Sequence, residues 1–461
     1  KSLTYKILAA VMALSAVNVF VPHNMLAYEI KSDNTTISPE EPINDNIYGN
    51  GYSFTITGGT IDGDVFGVGN RNYIGIASGG NVTISGNATI NGSSGGARVY
   101  GGYTTNGNAE YNTVNISDNA TISGDDGRAY VYGGYTTYGN AEYNTVNISD
   151  NVTINGSLGT AKVYGGFSSL GNVEYNTVNI NGGTISSSGF STDVYGGYAS
   201  GEAYNNTVNI SGGSVGDVRG GWSYSDGSAH HNTVNISGDA KVTNEVYSGW
   251  SFNGKAYDNT VIISGGSVSG DVYGGYIYNS GSAYDNEVVI SGSANITNAN
   301  LYGRSNNATG TGNTLTIDGW SDSTNSVQNF NDIAFKNIAW NDGGSILTIT
   351  NQRYSTGNFA KTTIDTIHIA GGSNINVGES MKLIESEKGN DLGLTEGNVT
   401  DTFTAGVARE GLGSTRIDGN VVTFNVNSIK LSGQAVSAAQ TRAASAAFVN
   451  QGTDLISDSL D

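Results

Sequence analysis

The segment VYGGYTTNGNAEYNTVNISDNATISG at 99–124 returns at 131–156 as VYGGYTTYGNAEYNTVNISDNVTING, and this near-verbatim repetition constrains the fold more than any other feature. Aligned on the phrase Asn-Thr-Val and its variants, asparagines fall at Asn112, Asn144, Asn176, Asn206, Asn232, Asn259, Asn286 and Asn313, with a period that begins at 32 residues and settles to 26 or 27. A second phrase, most often Val-Tyr-Gly-Gly-Tyr, opens at Val99, Val131, Val163, Val194, Val218, Val246, Val272 and Leu301, with Val65-Phe66-Gly67 as an earlier copy. A fixed period of this size marks a stacked repeat architecture. The phrases hold while the spacing between them varies, so the variable stretches are turns.

Within each phrase the period is two. In Thr113-Val114-Asn115-Ile116-Ser117 the apolar Val114 and Ile116 alternate with polar neighbours, as in a strand with one dry face, and Ala120-Thr121-Ile122 continues the pattern. Each copy reads as about three short strands separated by Gly, Asn, Asp and Ser turns. One copy cannot bury enough apolar surface to offset the entropy of ordering its own backbone. Stacked copies can, because each strand pairs with its equivalent in the next coil at about 4.8 Å and the dry faces merge. Identical neighbours stack best, placing Ile on Ile, Val on Val and Asn on Asn.

Composition agrees with long ladders. All three prolines, Pro22, Pro39 and Pro42, precede residue 43, which leaves the repeats free of residues that delete a ladder hydrogen bond. Glycine is abundant, 68 of 461 residues, yet Val, Ile and Tyr recur in ordered places, which separates the chain from a flexible tether. A formal charge of −20 argues against nucleic acid as a partner. The chain has no cysteine, so disulfides and thiolate metal sites are excluded.

At the N-terminus, Lys1 and Lys6 precede and flank the apolar run ILAAVMALSAVNVFV at 7–21, followed by Pro22 and Ala27. This is the layout of a secretory signal over 1–27, with cleavage expected after Ala27, and it is shorter than the roughly 20 apolar residues of a spanning helix.

Three columns invite a functional reading. The asparagine column, from Asn112 to Asn313, reads as a structural ladder, since asparagine tolerates a left-handed turn and can bond its equivalent one coil away. The aromatic column Tyr103, Tyr135, Phe167, Tyr198, Trp222, Trp250 and Tyr276 shares a face with the preceding valines by the two-residue period; it reads as corner stacking or as a recognition strip for sugar rings or a partner protein. A second column, Tyr100, Tyr132, Tyr164, Tyr195, Tyr247, Tyr273 and Tyr302, points the other way on the same count and is interrupted by Arg219. The Gly-Gly pairs between them read as permitting tight bends.

Chemistry usually breaks a repeat, so the singletons are the catalytic or metal candidates. His230 and His231 lack a third ligand at metal spacing and read as turn decoration. Arg219 and Arg304 read as exposed substitutions, and Asp125, Asp126, Asp217 and Asp271 as ordinary residues of Gly-rich turns. The Gly-Gly-x-Gly-x-Asp calcium repeat is absent, as are a nucleophile elbow and a zinc-protease helix. No catalytic residue, cofactor or metal is assigned. Asn115-Ile116-Ser117 and its copies match the N-glycosylation pattern, but the strand alternation itself generates them.

After Asn313 the short period fades. Strand patterns continue, as in Ser345-Ile346-Leu347-Thr348-Ile349, and the chain closes on the Ala-rich, helix-favouring AVSAAQTRAASAAFVNQ at 435–451. The expected division is a signal at 1–27, an entry segment at 28–60, a repeat solenoid at 61–317, a closing β-rich segment at 318–433 and a helix at 434–461. An export signal, a Gly/Asn/Thr-rich β-repeat body and the segment AQTRAASAAFVNQGTDLI together resemble the passenger and linker of a bacterial autotransporter of the type V secretion family. That resemblance implies an all-β, right-handed parallel β-helix at the bacterial cell surface or secreted. It implies a linker helix leading to an outer-membrane barrel downstream. It also implies a structural, adhesin-like role in adhesion or self-association, with a host or neighbouring-cell glycan or protein, or the chain itself, as partner. The alternative is a secreted β-helix polysaccharide lyase or hydrolase, which would need two carboxylates brought together from different coils; no pair stands out.

Overall fold

A computed structural model describes residues 28–92, 96–124, 127–157, 159–188, 191–351, 359–388 and 392–458. The expected signal at 1–27, and Asp125 and Asp126, lie outside the described residues. The protein is a parallel β-solenoid of about ten turns with one C-terminal helix. By contact density it divides into two units, the first comprising 1–314 and 328–330, the second 315–327 and 331–461.

In the first unit each coil has three walls. The longest wall is built of strands such as Ala97–Thr104, Ala129–Thr136 and Ala161–Ser168. A narrow wall of two-residue strands follows, Ala109–Glu110, Ala141–Glu142 and Val173–Glu174. The third wall holds Thr113–Ile116 and Thr121–Ser123 and their equivalents. Like pairs with like, in parallel: Val99 opposes Val131, and Val114 opposes Val146, which opposes Val178. These valines, with Ala109 and Ile122, have no exposed surface, so the interior is a set of vertical apolar files. A single alternating strand could not exclude water this completely; the coil above and the coil below do so.

The turn between the narrow and third walls has one fixed device. The residue before each ladder asparagine takes a left-handed backbone, at Tyr111, Tyr143, Tyr175, Asn205, His231, Asp258 and Asp285 with φ between 52° and 55°, and at Gly312 with φ 75°. The left-handed position is thus the neighbour of the asparagine rather than the asparagine itself.

In the second unit the stacking persists without the short period. Asp332–Ile338 pairs in parallel with Thr363–Ile369, which pairs with Thr402–Ala405. The unit then reverses direction, with Val421–Leu431 running antiparallel to both Ser380–Ser386 and Arg409–Asp418. The helix Gly433–Asp458 begins at Ser432, whose Oγ accepts the Ala435 N–H at 3.2 Å, as an N-cap does. Its side chains up to Val449 are almost wholly exposed, so alanine propensity rather than packing sustains it. Among the described residues no helix is long and apolar enough to cross a membrane.

Candidate functional site

The asparagine column lies inside the solenoid. All eight members are buried, none more than 1% exposed. Asn112 Nδ2 donates to Asn144 Oδ1 at 2.8 Å, Asn144 Nδ2 to Asn176 Oδ1 at 2.9 Å, and the rungs continue to Asn286 and Asn313 at 2.9 Å. The same oxygen also accepts the backbone N–H of the preceding asparagine, for example Asn144 N–H to Asn176 Oδ1 at 2.9 Å. The second amide hydrogen goes to a narrow-wall carbonyl, as from Asn144 to Ala109 at 2.8 Å. A buried amide so fully bonded serves the fold, since an unpaired one would carry its full desolvation cost. A second ladder on the outward side of the third wall escaped the sequence reading: Asn147, Asn179, Asn209 and Asn235 each donate to the preceding coil's asparagine at 2.7 to 2.8 Å.

The buried ladder explains the glycine pairs, and here the sequence reading is corrected. Gly101 and Gly102 lie within one continuous strand and are not left-handed, so they make no tight bend. Both face the Asn112 side chain. A Cβ on Gly101 would strike the Gly133 carbonyl of the next coil and stand 3.0 Å from Asn112 Cβ, and one on Gly102 would enter the Asn112 amide itself. Gly133 and Gly134 meet Asn144 in the same way, and Gly165 and Gly166 meet Asn176. The pair therefore leaves room for the ladder.

Two successive inward residues also reset the alternation. Tyr103 consequently does not share a face with Val99 but lies outside, on the same side as Tyr100, its ring edge-on to that ring at 5.1 Å and 84°. The two aromatic columns stand side by side. In the Tyr100 column the rings of Tyr100, Tyr132, Tyr164 and Tyr195 are stacked at 4.8 to 4.9 Å and 1% to 7% exposed. Burial pushes the phenols of Tyr100, Tyr132 and Tyr164 well above their ordinary range, so they remain neutral. The column continues through Tyr247, Tyr273 and Tyr302 beyond the Arg219 position.

The Tyr103 column is the more accessible. Tyr103, Tyr135, Phe167 and Tyr198 stack at 4.7 to 5.0 Å and are half-buried. Trp222 and Tyr276 are also half-buried, whereas Trp250 is buried, in edge contact with Trp222 at 4.3 Å. Burial raises the Tyr198 phenol to about 12.

Arg219 is the second correction. It occupies the Tyr100 column with its guanidinium over the rings of Tyr195, Trp222 and Tyr247 at 5.1 to 5.4 Å, and its side chain is only 11% exposed. It pairs with Asp193 at 2.6 Å and Asp217 at 3.2 Å, while Lys162 also meets Asp193 at 3.1 Å. Asp217 is thus a buried ion-pair partner opening a strand rather than a plain turn residue. Burial pushes the Asp193 carboxyl up, but Arg219 and Lys162 outweigh it and hold it below the usual carboxylate range. Arg304 is likewise not fully exposed: it is half-buried and its Nη1 donates to the Ala308 carbonyl at 2.5 Å. Asp271 accepts from Asn300 at 2.6 Å and from the Tyr273 hydroxyl at 3.1 Å.

His230 is more than turn decoration, since it sits in the narrow-wall strand Ala229–His230, stacked between Tyr204 at 5.0 Å and Tyr257 at 4.6 Å. His231 occupies the left-handed turn. Among the described residues no group of three His, Cys, Asp or Glu side chains is placed to hold a metal ion. No family model, curated protein or solved structure matches this chain.

Proposed function

We propose that the chain is an exported passenger displayed at a bacterial cell surface, where its solenoid acts as a structural, adhesin-like element in adhesion or self-association. The observation that carries this reading is the Tyr103 column. The glycines, paired in six of the seven coils and replaced by Ser248-Gly249 before Trp250, place seven aromatic residues in register on the outer side of consecutive coils, six of them partly exposed, an arrangement suited to lying along an extended partner. Such a strip spreads binding over many weak contacts. The Ala-rich helix Gly433–Asp458, exposed up to Val449, supports its assignment as a linker toward an outer-membrane barrel. The partner is a host or neighbouring-cell glycan or protein, or a second copy of the chain.

The test is made on intact cells. Antibody labelling and added protease should reach the solenoid without lysis, and Tyr135→Ser combined with Phe167→Ser should lower cell aggregation or attachment several-fold while surface abundance is unchanged. A chain confined to the cell interior, or adhesion indifferent to the double variant, refutes the proposal.

A further inference from the structure

The exposed apolar side chains of the first unit are unevenly placed. On three consecutive coils the narrow wall carries the file Tyr111, Tyr143 and Tyr175, respectively 58%, 42% and 44% exposed. Their rings stack at 5.0 and 4.8 Å within 4° of parallel. At the opposite corner of the same wall Tyr138 and Leu170 are 61% and 62% exposed, and Ile74 and Ile76 in the coil before are 74% and 60% exposed. Between these two apolar borders runs the file Glu110, Glu142 and Glu174, each opposing the next in parallel register.

The fold does not require these residues. The corner is set by stacked glycines, Gly107, Gly139, Gly171, Gly201, Gly227, Gly254 and Gly281. The residue before that glycine is Asn106, Tyr138 and Leu170 in the three early coils but Ser200, Asp226, Asn253 and Ser280 in the later ones. The left-handed position likewise changes from tyrosine to Asn205, His231, Asp258 and Asp285. Later coils thus build both turns with polar side chains, whereas the early coils leave Tyr138 and Leu170 in water at the corner, and Tyr111, Tyr143 and Tyr175 in water at a left-handed backbone that bulky residues rarely adopt. Exposed apolar side chains clustered along two borders of one wall in this way mark an interaction site.

The glutamate file selects the partner. Partial burial holds the Glu142 carboxyl above its usual range, with Asn140 opposing and Glu174 and Glu110 reinforcing the shift. A second copy would bring a further glutamate file onto this one, in a chain of net charge −20. We propose that the narrow wall of these three coils is a docking surface for a basic polypeptide segment. Its Arg or Lys side chains seat on Glu110, Glu142 and Glu174, and its apolar side chains cover the tyrosine file and the Tyr138–Leu170 corner. Cation-to-carboxylate pairing between apolar borders then fixes both register and affinity.

The surface is distinct from the Tyr103 column and does not depend on where the protein is displayed, so it is tested on the purified full chain. The probe is a synthetic peptide of alternating Arg and Leu, with counterparts carrying Glu for Arg or Ser for Leu, measured by calorimetry. The Arg/Leu peptide should bind the unmodified chain, and both counterparts should bind at least tenfold more weakly. The pairs Glu142→Gln with Glu174→Gln, and Tyr138→Ser with Leu170→Ser, should each lose at least tenfold with unchanged circular dichroism, whereas Tyr278→Ser on a distant coil should not. The proposal is overturned if the Arg/Leu peptide does not bind, if it binds both pair variants as it binds the parent, or if the acidic peptide binds equally. It is also overturned if sedimentation shows the parent self-associating through this wall, with the association lost in Tyr138→Ser.

Discussion

Replacing Asn176 by alanine tests the internal ladder directly. Asn176 Oδ1 accepts from Asn144 N–H and Asn144 Nδ2, both at 2.9 Å, and its own Nδ2 donates to Ala141 O, Glu174 O and Asn206 Oδ1, all at 2.9 Å. Alanine removes all of these. The Asn176 backbone N–H keeps its bond to Asn206 Oδ1 at 3.1 Å, so the coil below loses less than the coil above. In that upper coil two Asn144 donors are left without the acceptor they had, in a site with no exposed surface. At about 1–3 kcal/mol for each orphaned buried group, the loss is about 2–6 kcal/mol. The comparison is Asn147→Ala on the outward ladder, where Asn115 and Asn179 are half-buried and can turn to water, at about 0.5–1.5 kcal/mol. Urea denaturation followed by far-ultraviolet circular dichroism measures both, and native-state hydrogen exchange locates the damage, which should centre on the coils of Asn144 and Asn176 because a solenoid couples nearest neighbours. Equal costs for the two variants, or exchange that rises uniformly along the chain, would refute the reasoning.

Arg219→Tyr restores the aromatic column but leaves Asp217 without a cation and Asp193 with Lys162 as its one remaining cation, so denaturation should show a loss of about 3–5 kcal/mol. Adding Asp217→Asn and Asp193→Thr should recover most of it. Gly134→Ala drives a methyl into the Asn144 amide and should cost about 1–3 kcal/mol, while Gly433→Ala, with open space around it, should stay within about 0.5 kcal/mol by the same assay. Burial holds the His230 imidazole below its ordinary value, with Glu202 opposing. The folded state therefore binds its proton less readily than the unfolded one, and the stability present above about pH 6.5 falls as pH drops through the histidine range. His230→Tyr, the residue found at 257 and 284, should remove that component from a stability-versus-pH series.

The vertical register was legible because each phrase repeats its residues at fixed spacing; Val114, Val146 and Val178 could hardly pair otherwise. The asparagine column was legible for the same reason. The side on which Tyr103 lies was not, because counting by twos assumes that every residue flips the chain, and Gly101 and Gly102 do not. Their glycine identity signals the exception only once Asn112 is seen between the walls. The burial of Arg219 was hidden for another reason. In a single coil an arginine at a tyrosine position looks like a surface change, and its partner Asp193 lies 26 residues away, one coil earlier. The wall of Glu110, Glu142 and Glu174 with its apolar borders went unread because exposed apolar residues at a corner are visible only when the corner itself is placed.

Each rung of the internal ladder has the same direction and nearly the same length, and this makes neighbouring coils interchangeable. Excising 113–144 would join Asn112 to Thr145 and set it against Asn176, where it could form the bonds that Asn144 makes now, at 2.9 Å. Inserting another such block would be equally seamless. Among these near-identical coils array length is thus decoupled from the rules that hold the array together, and a gene encoding this chain could gain or lose one of them with the asparagine ladder intact.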